Sequence, residues 1–343
     1  MAGVTIKDVA RVAQVSVATV SRALNGHTNV VADVRNRVQA VARELRYTPN
    51  AAARSLSSRR THTLGVVLPD LYGEFFSELV RGIDQAARAH GLHLLVSSYH
   101  GHPEEQEAAL RTMRGRVDGL LVMSPYVSAP ADLADDLAAL PVVLINTQDV
   151  ADGIAGIRVD NYGGAVAMVG HLVDAGHRRI AFIAGPDDNF DAHERLRGYR
   201  DALALRLKGV EEWILPGDFS EASGHRAGQA LLAHATRPDA VFAANDMMAL
   251  GCLFAFAQGG AVVPDDIALA GFDDIPLARY VHPSLTTMRV NIADVGGRAV
   301  QMLLEGMGSD TKLATPSVML SAELIVRESS AARVPRAPCN DSS

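Results

Sequence analysis

The stretch TIKDVARVAQVSVATVSRALNG, residues 5–26, decides the fold of the amino-terminal region. Thr5 and Asp8 have the spacing of a capping box, in which polar side chains satisfy the free backbone groups at the start of a helix. Apolar residues follow at helical spacing. The pattern predicts a first helix over residues 6–12.

A second short helix is predicted over residues 17–24, because Ser16 can accept hydrogen bonds from the free amides at its start. Two short helices joined by a tight turn form a helix-turn-helix. The outer face of the second helix carries small side chains, such as Val17 and Ala18, followed by Arg22. Small apolar groups can contact thymine methyls and an arginine can pair with guanine, so this face is suited to the major groove of DNA.

The charge distribution supports this interpretation. Residues 1–60 carry a net charge of +7, whereas the rest of the chain carries −14. Positive charge concentrated at one end of an acidic chain is typical of a module that binds a polyanion. A third helix, predicted over residues 33–46, has an apolar stripe that can close a small three-helix core. Residues 1–47 are therefore predicted to form a DNA-binding domain.

The next segment, YTPNAAARSLSSRR, spans residues 47–60 and predicts a short helix that is marginal alone because nucleation is costly. TIKDVA, VSVATVSRALNG and YTPNAAARSL, in this order and spacing, resemble the LacI/GalR family of bacterial transcription regulators. The resemblance extends from residue 4 to about residue 328. It implies that residues 48–60 are a hinge helix and linker, and that the hinge pairs with its twin in a homodimer.

The resemblance also implies which residues contact a pseudo-palindromic operator in double-stranded DNA. The residues implied to contact base edges are Val17, Ala18 and Arg22. The residues implied to contact phosphates are Thr5, Ser16, Thr19, Ser21 and Asn25. In the hinge they are Asn50 near the backbone, Ala53 against the partner helix, and Leu56 as a wedge between base pairs. An inserted wedge works best at a flexible pyrimidine-purine step, so we expect a central CG or similar step.

Residues 61–330 alternate apolar strands with helices, which predicts parallel sheets covered on both faces. The strands are too many for one compact sheet, so two α/β lobes are expected. The resemblance implies a fold like periplasmic binding proteins. The predicted first lobe is residues 61–160 with 291–318, the second is 161–290 with 319–330, and residues 331–343 form a flexible tail.

Ligands in open α/β sheets bind beyond the carboxyl ends of the strands, so polar and aromatic residues at those ends are candidates for an effector site. From strand ends and the family resemblance together, the predicted effector-binding residues are Asp70, Phe75, Ser124, Asn146, Arg195, Phe219, Asn245 and Asp273. Phe76 is expected to lie in the core more often than in the pocket. Asp246 is as well placed to cap a helix. At Val290, where many relatives have a polar group, this chain departs from the family.

Other classes of protein are disfavoured. The amino terminus has no apolar signal segment and no run approaches a membrane span, so a cytoplasmic protein with no membrane partner is expected. His90, His93, His100 and His102 keep no recognised metal spacing, and no nucleotide or hydrolase motif is present. We expect no cofactor, no metal site and no enzymatic activity.

The favoured interpretation is a repressor whose operator affinity is controlled by a small polar effector, such as a sugar, bound between the lobes. One alternative is a regulator that needs a purine or nucleoside corepressor. Another is a ligand-binding or enzymatic module with an incidental DNA-binding head.

Overall fold

The computed structural model describes residues 4–25, 29–47, 60–126, 140–147, 154–308 and 317–330. The chain divides into two units, Met1–Thr61 and His62–Ser343. The predicted hinge residues Asn50, Ala53 and Leu56 and the predicted tail over 331–343 lie outside the described residues.

The first unit contains three helices, α1 (Ile6–Ala13), α2 (Val17–Leu24) and α3 (Ala32–Glu44). Its core is formed by apolar side chains from all three helices, among them Val9, Val20 and Val38, none of which is exposed to solvent. The turn between α1 and α2 is tight because Gln14 adopts a left-handed backbone conformation, with a φ of 53°. The predicted helix-turn-helix is confirmed.

The second unit alternates strands and helices. Its elements are β1 (Thr63–Leu68), α4 (Glu74–Ala89), β2 (His93–Ser98), α5 (Pro103–Met113), β3 (Gly119–Met123), β4 (Val142–Ile145), β5 (Ala155–Val159), α6 (Asn161–Asp174), β6 (Ile180–Ile183), α7 (Phe190–Arg206), β7 (Trp213–Leu215), α8 (Glu221–Ala233), β8 (Ala240–Ala243), α9 (Asp246–Gln258), β9 (Ala268–Ala270), β10 (Thr287–Arg289), α10 (Ile292–Gly308), β11 (Val318–Leu320) and β12 (Glu323–Ile325).

The first lobe is built on a parallel sheet in the order β11-β5-β4-β3-β1-β2. Strand β3, in the interior of the sheet, is buried along its whole length, which explains its continuous apolar sequence. Strand β11 pairs with β5, so Met319 and Leu320 belong to this sheet rather than to the second lobe. The predicted division after residue 318 is thereby moved to after Leu320.

The second lobe is built on a parallel sheet in the order β7-β6-β8-β9. Beside it, β10 and β12 form an antiparallel pair on segments that run between the lobes. Helices α8 and α9 lie so close that a Cβ at Gly224 would overlap the carbonyl of Met248, and one at Gly251 would overlap that of Glu221. Parallel sheets with crossover helices confirm the predicted fold class.

Candidate functional site

The amino-terminal candidate site is the outer face of α2. Ser16 caps the helix by accepting a hydrogen bond from the amide of Thr19 at 3.1 Å. Val17 is 41% exposed, and Ala18 and Arg22 are exposed as well. This local sequence thus folds with its small side chains at the start of the helix in solvent and its cation one turn later.

The polar residues predicted to contact phosphates make local hydrogen bonds within the helix-turn-helix. The hydroxyl and the backbone amide of Thr5 both donate to the Asp8 carboxylate, at 2.8 and 3.0 Å. In α2, Ser16 and Thr19 share a hydrogen bond of 2.9 Å between hydroxyls, and Asn25 donates to Ser21 at 3.4 Å. These bonds fix the helix ends where the chain is predicted to meet DNA.

The second candidate site is a cavity of about 170 Å³ between the two lobes. Six of the eight predicted effector residues line it: Asp70, Phe75, Arg195, Phe219, Asn245 and Asp273. Asp70, Asn245 and Asp273 come from the loops after β1, β8 and β9, and Phe219 comes from the loop between β7 and α8. Phe75 lies at the start of α4 and Arg195 in α7. As expected for parallel sheets, the carboxyl ends of the strands bring these residues together.

Arg195 is the centre of a buried network, with its side chain only 5% exposed. Its Nε donates to Asn161 Oδ1 at 2.8 Å, one terminal nitrogen donates to the carbonyl of Ala244 at 2.5 Å, and the other lies 3.2 Å from Asp273 Oδ1. The guanidinium also lies 3.9 Å from the ring centroid of Phe272. These contacts hold the arginine in a single orientation.

Asp191 is a second buried acid beside this network. Its carboxylate accepts hydrogen bonds from Asn146 at 2.9 Å and from Asn161 at 2.8 Å. Burial raises the pKa of Asp191 to about 6 despite the neighbouring Arg195. Burial likewise raises the pKa of Asp273 to about 6 against the lowering effect of Arg195. The cavity therefore contains two carboxylates that are costly to ionise.

Two predicted effector residues, Ser124 and Asn146, do not line the cavity. Successive residues of an extended chain point to opposite sides, and here Met123 and Pro125 line the cavity whereas Ser124 accepts a hydrogen bond from Gln106 at 2.9 Å. Asn146 is buried behind Asp191 and orients that carboxylate. For these two residues the prediction of direct effector contact is not supported by the geometry.

Two other expectations are corrected. Phe76, expected in the core, lines the cavity. Asn245 rather than Asp246 caps α9, by accepting from the amide of Met248 at 2.9 Å. Asp246 is fully buried and accepts from Thr287 at 2.6 Å and from the amide of Ile275 at 3.0 Å, and burial raises its pKa.

Sequence reasoning missed several lining residues, namely Tyr72, Tyr126, Asn189, Asp191 and Asp218. For Asp191 a signal exists: it precedes Arg195 by one helical turn on α7, so the two share a face. Tyr126 follows β3 by three residues, beyond the position that a strand-end rule examines.

Hydrogen bonds between the lobes bridge the mouth of the cavity. Tyr72, in the loop before α4, donates its hydroxyl to the carboxylate of Glu221 at the start of α8, with distances of 3.1 and 3.2 Å. Nearby, Glu74 accepts a hydrogen bond from the amide of Leu277 at 3.0 Å. The structure thus joins the two lobes at the rim of the cavity.

Within the described ranges, no three His, Cys, Asp or Glu side chains are grouped so as to hold a metal ion. Among the helices that the structure describes, none has the length and apolar character needed to cross a bilayer. Val290 is buried and does not line the cavity.

Comparison with known proteins gives two family matches. Residues 5–50 match the model of bacterial regulatory proteins, lacI family, and residues 169–330 match a periplasmic binding protein-like domain. The chain is 35% identical to the HTH-type transcriptional repressor CytR of Escherichia coli strain K12 over 332 residues, which cover 96% of each protein.

Further similarity extends over nearly the whole chain. The ribose operon repressor of Escherichia coli strain K12 is 37% identical over 312 residues, covering 90% of this chain and 94% of the repressor. A crystal structure of the lac repressor dimer bound to operator and the anti-inducer ONPF superposes with a TM-score of 0.87 and 29% identity, covering 96% of this chain and all of that chain.

Proposed function

The chain belongs to the lacI family of bacterial regulatory proteins, and from this premise we propose that it is a repressor whose operator affinity is set by a small polar effector. Members of the family are DNA-binding transcriptional regulators, and we further propose that this chain has no enzymatic activity. Because its target is DNA, its proposed place of action is the cytoplasm.

The proposed DNA-reading surface is the exposed face of α2. Val17 and Ala18 are small enough to let the helix approach thymine methyls, and Arg22 can form a bidentate pair with a guanine. Arg22 donates from Nε to the carbonyl of Ala18 at 3.2 Å, which holds the base of its side chain against the helix. The hydroxyl and amide residues predicted for phosphates then fix the orientation of the helix without reading sequence.

The proposed assembly is a homodimer, as in the lac repressor complex with its operator. Two heads related by a twofold axis read a pseudo-palindromic site. Leu56 is proposed to enter the minor groove at the centre of that site, with Ala53 against the partner helix and Asn50 near the phosphate backbone. The net charge of −14 beyond residue 60 disfavours further contacts with the duplex, so binding is confined to the head.

The effector is proposed to bind in the cavity between the lobes. Carboxylate and amide groups can bind hydroxyls while an aromatic face packs on an apolar ring face, which suits a sugar. The volume of about 170 Å³ is below the roughly 300–1,000 Å³ of pockets for drug-sized ligands, which suits a small effector such as a monosaccharide.

Control of DNA binding is proposed to follow from a change in lobe closure. The effector can shift this equilibrium only by its difference in affinity for the two states. A hundredfold change in operator affinity requires about 2.7 kcal/mol of coupling. The contact between Tyr72 and Glu221 joins the two lobes, and we propose that opening of the rim breaks it, so that it contributes to that difference.

The observation that carries the proposal is the gathering of six predicted effector residues at one cavity in a chain with a helix-turn-helix. The test is fluorescence anisotropy of the full chain on labelled genomic fragments, with and without members of a sugar panel. Salt-sensitive, sequence-selective binding that a sugar changes supports the proposal. Absence of sequence-selective DNA binding refutes the proposal that the chain is a regulator. If the Asp273→Ala variant binds DNA selectively and a sugar still changes that binding as in the wild type, the proposed effector site in the cavity is refuted.

A further inference from the structure

The cavity between the lobes has more negative than positive charge. Four acids line it, Asp70, Asp191, Asp218 and Asp273, and among the described lining residues Arg195 is the one cation. Asp218 also pairs with Arg226, outside the lining, at 3.5 Å, so the surplus rests on Asp70 and Asp191. Asp191 and Asp273 are 6% and 4% exposed, so their charges are poorly hydrated. Ionised carboxylates without compensating charge are costly in such surroundings.

The single arginine does not neutralise both buried acids. Arg195 directs its contacts to Asn161, the carbonyl of Ala244 and Asp273, and its nearest aromatic neighbour is Phe272. Asp191 receives its hydrogen bonds from two neutral amides instead. Among the described residues Asp191 thus has no cation in direct contact, and its charge is offset only by the two amides, by the start of α7 and by the more distant Arg195.

The aromatic residues of the lining, like its acids, favour a positively charged ligand. Five aromatic residues surround the cavity: Tyr72, Phe75, Phe76, Tyr126 and Phe219. The face of an aromatic ring attracts a cation. The ring of Phe219 already lies 6.0 Å from the guanidinium of Arg195, which leaves the other four rings to pack on an ammonium group. Aromatic faces and surplus carboxylates both repel an anion.

We infer that the effector carries a protonated amine, and that the cavity selects an amino sugar over the neutral sugar and over its phosphate. This inference rests on the proposed effector cleft. Asp191 is the residue that determines the selectivity, because its carboxylate supplies the charge that Arg195 leaves unbalanced. An ammonium group beside Asp191 restores charge balance, whereas a phosphate would add to the surplus.

The test uses the full chain and matched sugars: glucose with glucosamine, galactose with galactosamine, mannose with mannosamine, and glucose 6-phosphate as the anion. Calorimetry at pH 7.5 should show at least one amino sugar binding about tenfold or more tightly than its neutral parent, as expected for a charge-assisted hydrogen bond. Glucose 6-phosphate should not bind. A neutral sugar or the phosphate binding as tightly as the amine overturns the inference.

Two variants examine the residue assignment. Asp191→Asn should reduce the ratio of amine to neutral affinity by about tenfold, and a ratio that stays unchanged overturns the role of Asp191. Asp187→Asn, at an exposed acid of the preceding loop that does not line the cavity, is the matched control and should keep the wild-type ratio. If Asp191→Asn does not fold, Asp70→Asn at the rim should reduce the same ratio, by less.

The outcomes also separate this inference from the proposed function. If neutral sugars bind most tightly and change operator affinity, the amino-sugar inference fails, but the proposal that the effector binds between the lobes stands. If none of the seven sugars binds, the amino-sugar inference fails, and the proposed function is judged by the operator-binding experiment.

Discussion

Replacing Arg195 by methionine should destabilise the second unit strongly at neutral pH and less at acidic pH. The change removes two hydrogen bonds, to Asn161 and to the carbonyl of Ala244, together with the ion pair to Asp273, and leaves two buried acids without a cation. Bonds from a charged group contribute about 1.5–3 kcal/mol each, but the arginine must also be dehydrated on folding. Removing one partner of a buried ion pair costs about 3–5 kcal/mol, and we expect the free energy of unfolding to fall by about 4 kcal/mol at pH 7.5.

The pH dependence follows from the raised pKa of the two acids. Both Asp191 and Asp273 have a pKa of about 6, above the ordinary value, so protonation below pH 6 favours the folded state. Once they are neutral they no longer need the guanidinium. The loss caused by Arg195→Met should therefore be about 1–2 kcal/mol smaller at pH 5 than at pH 7.5.

Urea unfolding followed by the fluorescence of Trp213 measures this effect, because that side chain is the one tryptophan of the sequence and lies in β7. The matched control is Arg200→Met on the same helix, whose half-exposed pair with Glu212 should contribute less than about 1 kcal/mol. An equal decrease in the free energy of unfolding for both variants would refute the charge network. A decrease for Arg195→Met that does not change with pH would refute it as well.

Four further outcomes are expected. Ser16→Ala removes the cap of α2 and should lower the free energy of unfolding of the head by about 1 kcal/mol, measured by circular dichroism melts. Gly251→Ala places a methyl against a backbone carbonyl of α8 and should lower the free energy of unfolding by about 1–3 kcal/mol in urea titrations, where an unchanged midpoint would contradict the close approach. Leu56→Ala should weaken operator binding, most at a central CG step, while calorimetry shows effector affinity nearly unchanged; equal loss of both would contradict the wedge. Lowering the pH from 7.5 to 5 protonates Asp191 and Asp273 and should weaken effector binding in calorimetry, whereas tighter binding at pH 5 would show that the ionised acids are not the ligands.

The head could be predicted almost residue by residue, because its signals are local. Thr5 with Asp8 and Ser16 with Thr19 lie three residues apart, and the structure contains their hydrogen bonds. The sequence does not indicate strand β5, since Ala155–Val159 is short and contains Gly156 and Arg158. Its extended conformation depends on pairing with β4 and β11, which are distant in sequence.

The effector cavity was predictable only in part. Strand ends fix the backbone positions of Asp70 and Asp273, and the parallel sheets bring those ends together. The direction of a side chain depends on neighbours distant in sequence, as Ser124 shows by turning to Gln106. Asp191 shares a face of α7 with Arg195, which is a local signal, but its contacts with Asn146 and Asn161 come from two other segments, and no local pattern predicts them.

The pairing of β11 with β5 has a consequence for biosynthesis. The first sheet begins at Thr63 but is completed only by Val318–Leu320, and α10, which packs on α4, begins at Ile292. Most of the chain is therefore synthesised before the first lobe can complete its fold. During that time the apolar surface that later packs against α10 is exposed to solvent. The head, whose contacts are all local, can fold long before. Premature termination before Ile292 should thus yield chains with a folded DNA-binding module on an unfinished, aggregation-prone body.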